Sequence, residues 1–347
     1  MISVAVLMSV LAFVCSRSVG IPLHDPDGFL GPAYLRLPLL CIGAFAADMV
    51  PRTLWRTRGN PKQFRAEAIV LIREHWTRER IILVILGLIS FYFTYVSYRN
   101  LKNFLPFMRT TSDGHPLLYD NQLHALDRWL LFGNDPAIVL HKIFGFGFSA
   151  HILAYDYLLF LPLVPVTVTA WLVWSRNISF GYWYVTSQGL CWTLGTASYY
   201  ILPTLGPGFA FPWLYFDIDK TGVSSLQDSL FYGRIHLHFD PFLNGVQSVA
   251  GFASLHVAIT LMMALVGHYT VRHRWIRIAL WVYVVVTAIS TTYFGWHYIA
   301  DDVAGAFIAV VSFYLGALAT GQKFDDRGRK SHPTTTTRGV PVDSEVG

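Results

Sequence analysis

Charge is scarce in this chain. Only 14% of its 347 residues are Asp, Glu, Lys or Arg, against about 25% in an ordinary soluble domain. Hydrophobic residues make up 54%, and the mean hydropathy is +0.44. Length alone would favour two soluble domains, but so little charge excludes them, and so apolar a chain excludes disorder over most of its length. Cysteine is also rare. Cys15, Cys41 and Cys191 all lie in apolar stretches and read as small buried hydrophobes, which excludes a disulfide scaffold. The sequence has no Gly-rich phosphate loop, no Cys-X-X-Cys, no His-Glu-X-X-His and no internal repeat. No cofactor, no metal and no nucleic-acid partner is expected.

What the chain has is long apolar runs. A membrane-spanning helix needs about 20 mostly apolar residues. Eight stretches qualify: 2–19, 33–50, 81–99, 150–174, 181–202, 252–271, 276–296 and 302–320. The fold class expected is all-α, a polytopic membrane helix bundle of about eight spans. The first stretch lacks a basic leading segment, so a retained helix is preferred to a cleaved signal. Lys and Arg cluster in alternate connections. Arg52, Arg56, Arg58, Lys62, Arg65, Arg73, Arg78 and Arg80 precede span three, Arg176 follows span four, and Arg272, Arg274 and Arg277 follow span six. Lys323, Arg327, Arg329, Lys330 and Arg338 follow span eight. The positive-inside rule then places both termini and these connections in the cytoplasm of a plasma membrane. Residues 64–80 read as an amphipathic surface helix. Two long segments, 100–149 and 203–251, face outward and are apolar enough to form interfacial helices or a cap. Three regions follow: N-terminal membrane helices with the basic loop at 1–110, a catalytic membrane domain at 111–320, and a disordered cytoplasmic tail at 321–347.

Ionisable residues at the ends of membrane helices carry the functional signal. His256 starts span six, and His297 ends span seven 41 residues later. Two antiparallel spans turning at Arg272–Arg277 return both histidines to one face, the outer one. Asp301 follows His297 by four residues, which places a carboxylate beside the imidazole on a helical turn. Such an acceptor fixes the tautomer and leaves the other ring nitrogen's lone pair free. Asp302, rotated about 100°, is expected to face elsewhere. Ser254 and Gly251 lie at a helix start, where backbone N–H groups and the dipole favour an anion. An activated imidazole, a second imidazole able to give a proton, and an anion cradle suit phosphoryl transfer through a phosphohistidine.

Ser254-Leu255-His256, followed by His297-X-X-X-Asp301 on an outward-facing hairpin, resembles the second and third motifs of the type 2 phosphatidic acid phosphatase superfamily. Asp127-Arg128-Trp129-Leu130-Leu131-Phe132-Gly133 with Asp135-Pro136, and Tyr199-Tyr200-Ile201-Leu202-Pro203 with Gly206-Pro207, resemble its inositol phosphorylceramide synthase, or inositol phosphotransferase, branch. The resemblance covers roughly residues 115–318. It implies His297 as nucleophile, Asp301 as its orienter, His256 as acid for the leaving group, Ser254 as a phosphate contact, and no metal. Thr291 occupies the position where the superfamily usually carries arginine, and the first motif's Lys and Arg are not evident around Tyr199–Pro203. The phosphate charge must then be met by other outer-face cations: Arg128, taken as substrate-binding, or Lys142, Lys220 or Arg234.

The function expected is an integral-membrane phosphotransferase or phosphatase on a lipid phosphate ester, with membrane lipids around it and, for transfer, an acceptor alcohol. The alternative is a non-catalytic membrane transporter or lipid-binding scaffold. His236-Leu237-His238 would present alternating imidazoles to a metal on a strand. Without a third ligand, a surface loop or substrate rim is the preferred reading.

Overall fold

The computed structural model describes residues 1–28, 31–240, 249–324 and 331–333. Within them the chain is helical almost throughout. The helices are α1 (Ile2–Val19), α2 (Ala33–Thr57), α3 (Pro61–His75), α4 (Arg78–Met108), α5 (Asp120–Leu130), α6 (Pro136–Phe144) and α7 (Phe148–Trp174). They continue with α8 (Ile178–Ile201), α9 (Pro207–Ala210), α10 (Gly222–Phe239), α11 (Leu255–Thr270), α12 (Arg274–Tyr293) and α13 (Ile299–Ala319). Two short antiparallel ladders, Asp27–Gly28 with Gly31–Pro32 and Gln322–Phe324 with Ser331–Pro333, complete it. The expected disordered tail otherwise lies outside the described residues.

The protein is an all-α polytopic membrane bundle. Among the described residues six helices are long and apolar enough to cross a membrane: α1, α2, α4, α7, α12 and α13. The other two expected spans are helices as well. α11 has only 16 residues, and α8 carries Thr186, Ser187, Gln188, Thr196 and Ser198, all buried. The polarity of α8 follows from its place at the centre. It packs on α1, α4, α7, α11 and α13, and its small residues let neighbouring backbones approach. A Cβ at Gly195 would strike Leu255 of α11. A basic residue closes the end of the bundle where α4 begins and α7 ends. Arg80, 3% exposed, gives hydrogen bonds to the carbonyls of Leu172, Val173 and Ser175 at the C-terminus of α7, where a cation complements the dipole.

α4 is longer than expected. The sequence reading ended span three at residue 99, whereas the helix runs on to Met108. Leu101, Phe104 and Leu105 continue its buried stripe at helical spacing, and Tyr200 of α8 donates to the Leu101 carbonyl at 2.6 Å. Packing against α8 extends the helix past its apolar span, and Lys102 therefore stands on a helix rather than in a loop. The two long segments expected to form interfacial helices or a cap do hold short helices, α5, α6, α9 and α10. The segment holding His236 and His238 is helical, within α10, and not a strand. The alternation on which the metal reading rested belongs to a strand and not to a helix.

Candidate active site

The two histidines meet, as their spacing requires. His256 occupies the first turn of α11, and His297 lies in the turn Phe294–Tyr298 between α12 and α13. Their ring centres are 5.8 Å apart. His256 stacks on Tyr157 at 4.5 Å and meets Phe160 at 4.2 Å, both on α7. Trp296 stacks on the other part of the same group, 5.1 Å from Tyr157. Aromatic faces thus fix the His256 imidazole, and His297 lies against its edge, between Asp301 and the Gly251 backbone.

The turn carrying His297 is held by its backbone. Gly295 adopts a positive φ of 71°, and its carbonyl accepts from Gly208 N–H at 2.7 Å. Gln227 donates to the Phe294 carbonyl at 2.8 Å, and His141 lies 3.0 Å from the Tyr293 carbonyl. α12 is itself braced against α7, where the Asp156 carboxylate accepts from Thr287 and Ser290.

Asp301 lies behind His297. Its Oδ2 is 3.4 Å from Nδ1 of His297 and accepts the Tyr298 N–H at 2.9 Å. Asp301 is completely buried and His297 is 5% exposed. The Asp301 carbonyl accepts the Ser254 N–H at 2.9 Å, and Ser254 caps α11 by accepting the Val257 N–H. The second and third motifs are therefore stitched together through main chain. Gly305 makes this possible, because a Cβ there would run into the Ser254 carbonyl. Gly305→Val should part α13 from α11, shift the imidazoles by about an ångström and cost roughly 10²-fold in turnover, with a lowered thermal midpoint. Unchanged turnover in a folded Gly305→Val protein would show that this contact does not position the site.

Asp302 does not face elsewhere. Its carboxylate accepts from Thr291 at 3.1 Å and Thr292 at 3.2 Å, and it also interacts with His297 and Ser254. The start of α13 packs against the end of α12, so a rotation of 100° along α13 turns Asp302 toward the loop it leaves. Burial pushes His297 down to about 4, against the pull of Asp302 and with the push of Lys102.

Two carboxylates that the sequence reading did not single out support this layer from α5. Asp120 accepts from the backbone N–H groups of Leu205 and Gly206 and from the Tyr298 hydroxyl. Asp127 accepts the Ile299 N–H at 3.0 Å, an anion at the N-terminus of α13. Burial raises both, Asp127 to about 6. Their signal was the seven-residue spacing with Leu123 between, which puts one buried face on α5. A narrow cavity beside His297 is lined by Asp127, Asp135, His124, Thr292, Tyr215 and Tyr298.

Arg128 is not among these residues. It is exposed, and its guanidinium donates to its own Gly133 carbonyl at 3.2 Å. Lys142 and Lys220 are exposed as well. Arg234 is partly buried, donates to the Val249 carbonyl and lies in the field of Asp120.

Paired imidazoles backed by buried carboxylates, at one end of an apolar helix bundle, define a membrane protein with a histidine-based site. Residues 121–315 match the family model of the PAP2 superfamily. The match spans more than half of the chain, which belongs to that superfamily, whose members are phosphatases and phosphotransferases. No curated protein and no solved structure matches it.

Proposed function

We propose that the protein is an integral-membrane phosphotransferase or phosphatase acting on a lipid phosphate ester, of the inositol phosphotransferase type, through a phosphohistidine on His297. The observation that carries this reading is the 5.8 Å pairing of His256 and His297 with Asp301 behind the latter. The Nε2 lone pair of His297 attacks phosphorus, and the bond from phosphorus to the leaving alcohol breaks. His256 gives that oxygen its proton. Water or an acceptor alcohol then loses a proton to His256 and attacks phosphorus, and the phosphorus–nitrogen bond breaks. Asp301 holds the Nδ1 proton and stabilises the charge on the phosphorylated imidazole. Ser254, proposed from the motif as a phosphate contact, is fully buried with its hydroxyl on the Val257 N–H and Asp302, so it serves the phosphate site by capping α11.

The aromatic cap over His297 supports transfer over hydrolysis, since it limits entry of water. The test is incubation of purified full-length protein with a labelled lipid-phosphate panel, with and without acceptor alcohols. A phosphorylated acceptor supports a transferase, and free phosphate supports a phosphatase. No product from any lipid would leave the transporter or scaffold reading standing. Because the nucleophile is an imidazole, EDTA should leave turnover intact. Complete loss restored by one divalent ion would remove the metal-independent mechanism.

The site is proposed to face outward from a plasma membrane, with both termini cytoplasmic, on the strength of the basic connections. In a variant lacking the three native cysteines, Lys220→Cys should react with an impermeant thiol reagent applied from outside. Labelling from the cytoplasmic side alone would invert the orientation.

A further inference from the structure

A phosphoryl group between two imidazoles needs a cation, and the position where the superfamily usually supplies arginine holds Thr291, whose hydroxyl is committed to Asp302. Lys102 stands near the end of α4, outside the segment matched by the family. Its ammonium lies 6.0 Å from the ring centres of Tyr98, on its own helix, and of Tyr199, on α8. Tyr199 is buried and lies within electrostatic range of Asp301 and Tyr157. Tyr157 is the ring on which His256 stacks. The charge of Lys102 reaches both His256 and His297. Among the described residues no ion pair includes Lys102. Aromatic faces attract an ammonium only weakly and do not neutralise it. A partly buried cation between two tyrosine rings, in the field of both imidazoles and in no ion pair among the described residues, is completed by an anion brought in from outside.

We propose that Lys102 binds the phosphoryl group as it passes to and from His297, supplying from α4 the positive charge missing at Thr291. The proposal rests on the phosphohistidine reading above. The exposed cations Arg128, Lys142 and Lys220 do not compete for the role, and Arg234 is turned toward Asp120 and the Val249 carbonyl. The N-terminal helices thus complete the site that the family domain begins.

The test uses full-length protein in detergent, the lipid-phosphate panel, and orthovanadate as a phosphate mimic. Lys102→Gln should lower kcat/KM by roughly 10²-fold, the scale of removing one donor from developing charge. The orthovanadate concentration needed for inhibition should rise at least about ten-fold. Lys102→Arg should recover much of both, since it returns a cation. The acidic limb of kcat/KM should also move to higher pH in Lys102→Gln. Removing a positive charge lets His297, still beside Asp301 and Asp302, take up a proton more readily. A merely structural role for Lys102 would not move that limb. If Lys102→Gln does not elute as a single folded species, Lys102→Met keeps a chain of similar length between the tyrosines and carries the same comparison. A folded variant with wild-type kcat/KM and vanadate sensitivity would overturn the proposal while leaving the phosphohistidine reading intact. A wild-type protein that turns over no lipid phosphate and ignores orthovanadate would instead end that reading, and this proposal with it.

Discussion

His297→Ala is expected to abolish turnover and to leave no acid-labile phosphoenzyme. The size of the loss follows from what the imidazole does. In the proposed mechanism its Nε2 receives the phosphoryl group, so its removal takes away the covalent route and not merely a contact. Activity should fall to the level of His256→Ala,His297→Ala, because members of one catalytic unit are not additive. Folding should survive. The turn is held by Gly295, Trp296 and Tyr298 through backbone and hydroxyl bonds, none of which uses the His297 ring. The measurement is rapid acid quench after mixing with labelled lipid phosphate, followed by separation of protein-bound label. His256→Ala makes the complementary case. It should still form the intermediate from a substrate with a good leaving group, and form it about 10²–10⁴-fold more slowly when the leaving alcohol needs a proton. Label trapped on a residue other than His297 would reassign the nucleophile. Full activity in His297→Ala would end the mechanism.

Much of this site was legible before any coordinates. Eight apolar stretches set the bundle, and the 41 residues between the histidines are two helix lengths plus a turn, so the meeting of His256 and His297 is a matter of rise per residue. The four-residue step to Asp301 is likewise local. What the sequence did not disclose depends on tertiary contact. Hydropathy ends span three at residue 99, but the buried stripe of α4 continues to Leu105 because α8 packs beside it. The Lys102 side chain is therefore inward, although in sequence it belongs to an outer connection. Asp120 and Asp127 brace Tyr298 and Ile299 across more than 170 residues of chain, a pairing that no local period encodes. Asp302 turns toward α12 for a related reason. Helical periodicity gives the angle between neighbours, and it does not say that the preceding helix, with Thr291 and Thr292, lies on the side toward which that angle turns.

Asp301→Asn is expected to keep the fold and cut turnover by about 10³-fold, while Asp302→Asn costs less. Oδ2 of Asp301 accepts the Tyr298 N–H and lies 3.4 Å from Nδ1 of His297. The Tyr298 N–H requires an acceptor there, so the asparagine amide will orient its oxygen to that place and its NH₂ to the place of Oδ1, which has no partner among the described residues. The tautomer of His297 is then preserved, and what is lost is the negative charge. A charge pair near 4 Å is worth about 4 kcal/mol at an effective dielectric constant of 20, which is about 10³-fold when the imidazole becomes cationic on phosphorylation. Asp302 shares its oxygens with the hydroxyls of Thr291 and Thr292, which disperses its charge before it reaches the ring. The comparison is kcat/KM for each variant beside the steady-state level of phosphoenzyme. Asp301→Asn should lower that level, since the charge stabilises the intermediate more than the free imidazole. A greater loss in Asp302→Asn than in Asp301→Asn would transfer the supporting role to Asp302 and make the short ion-pair distance behind His297 a packing contact.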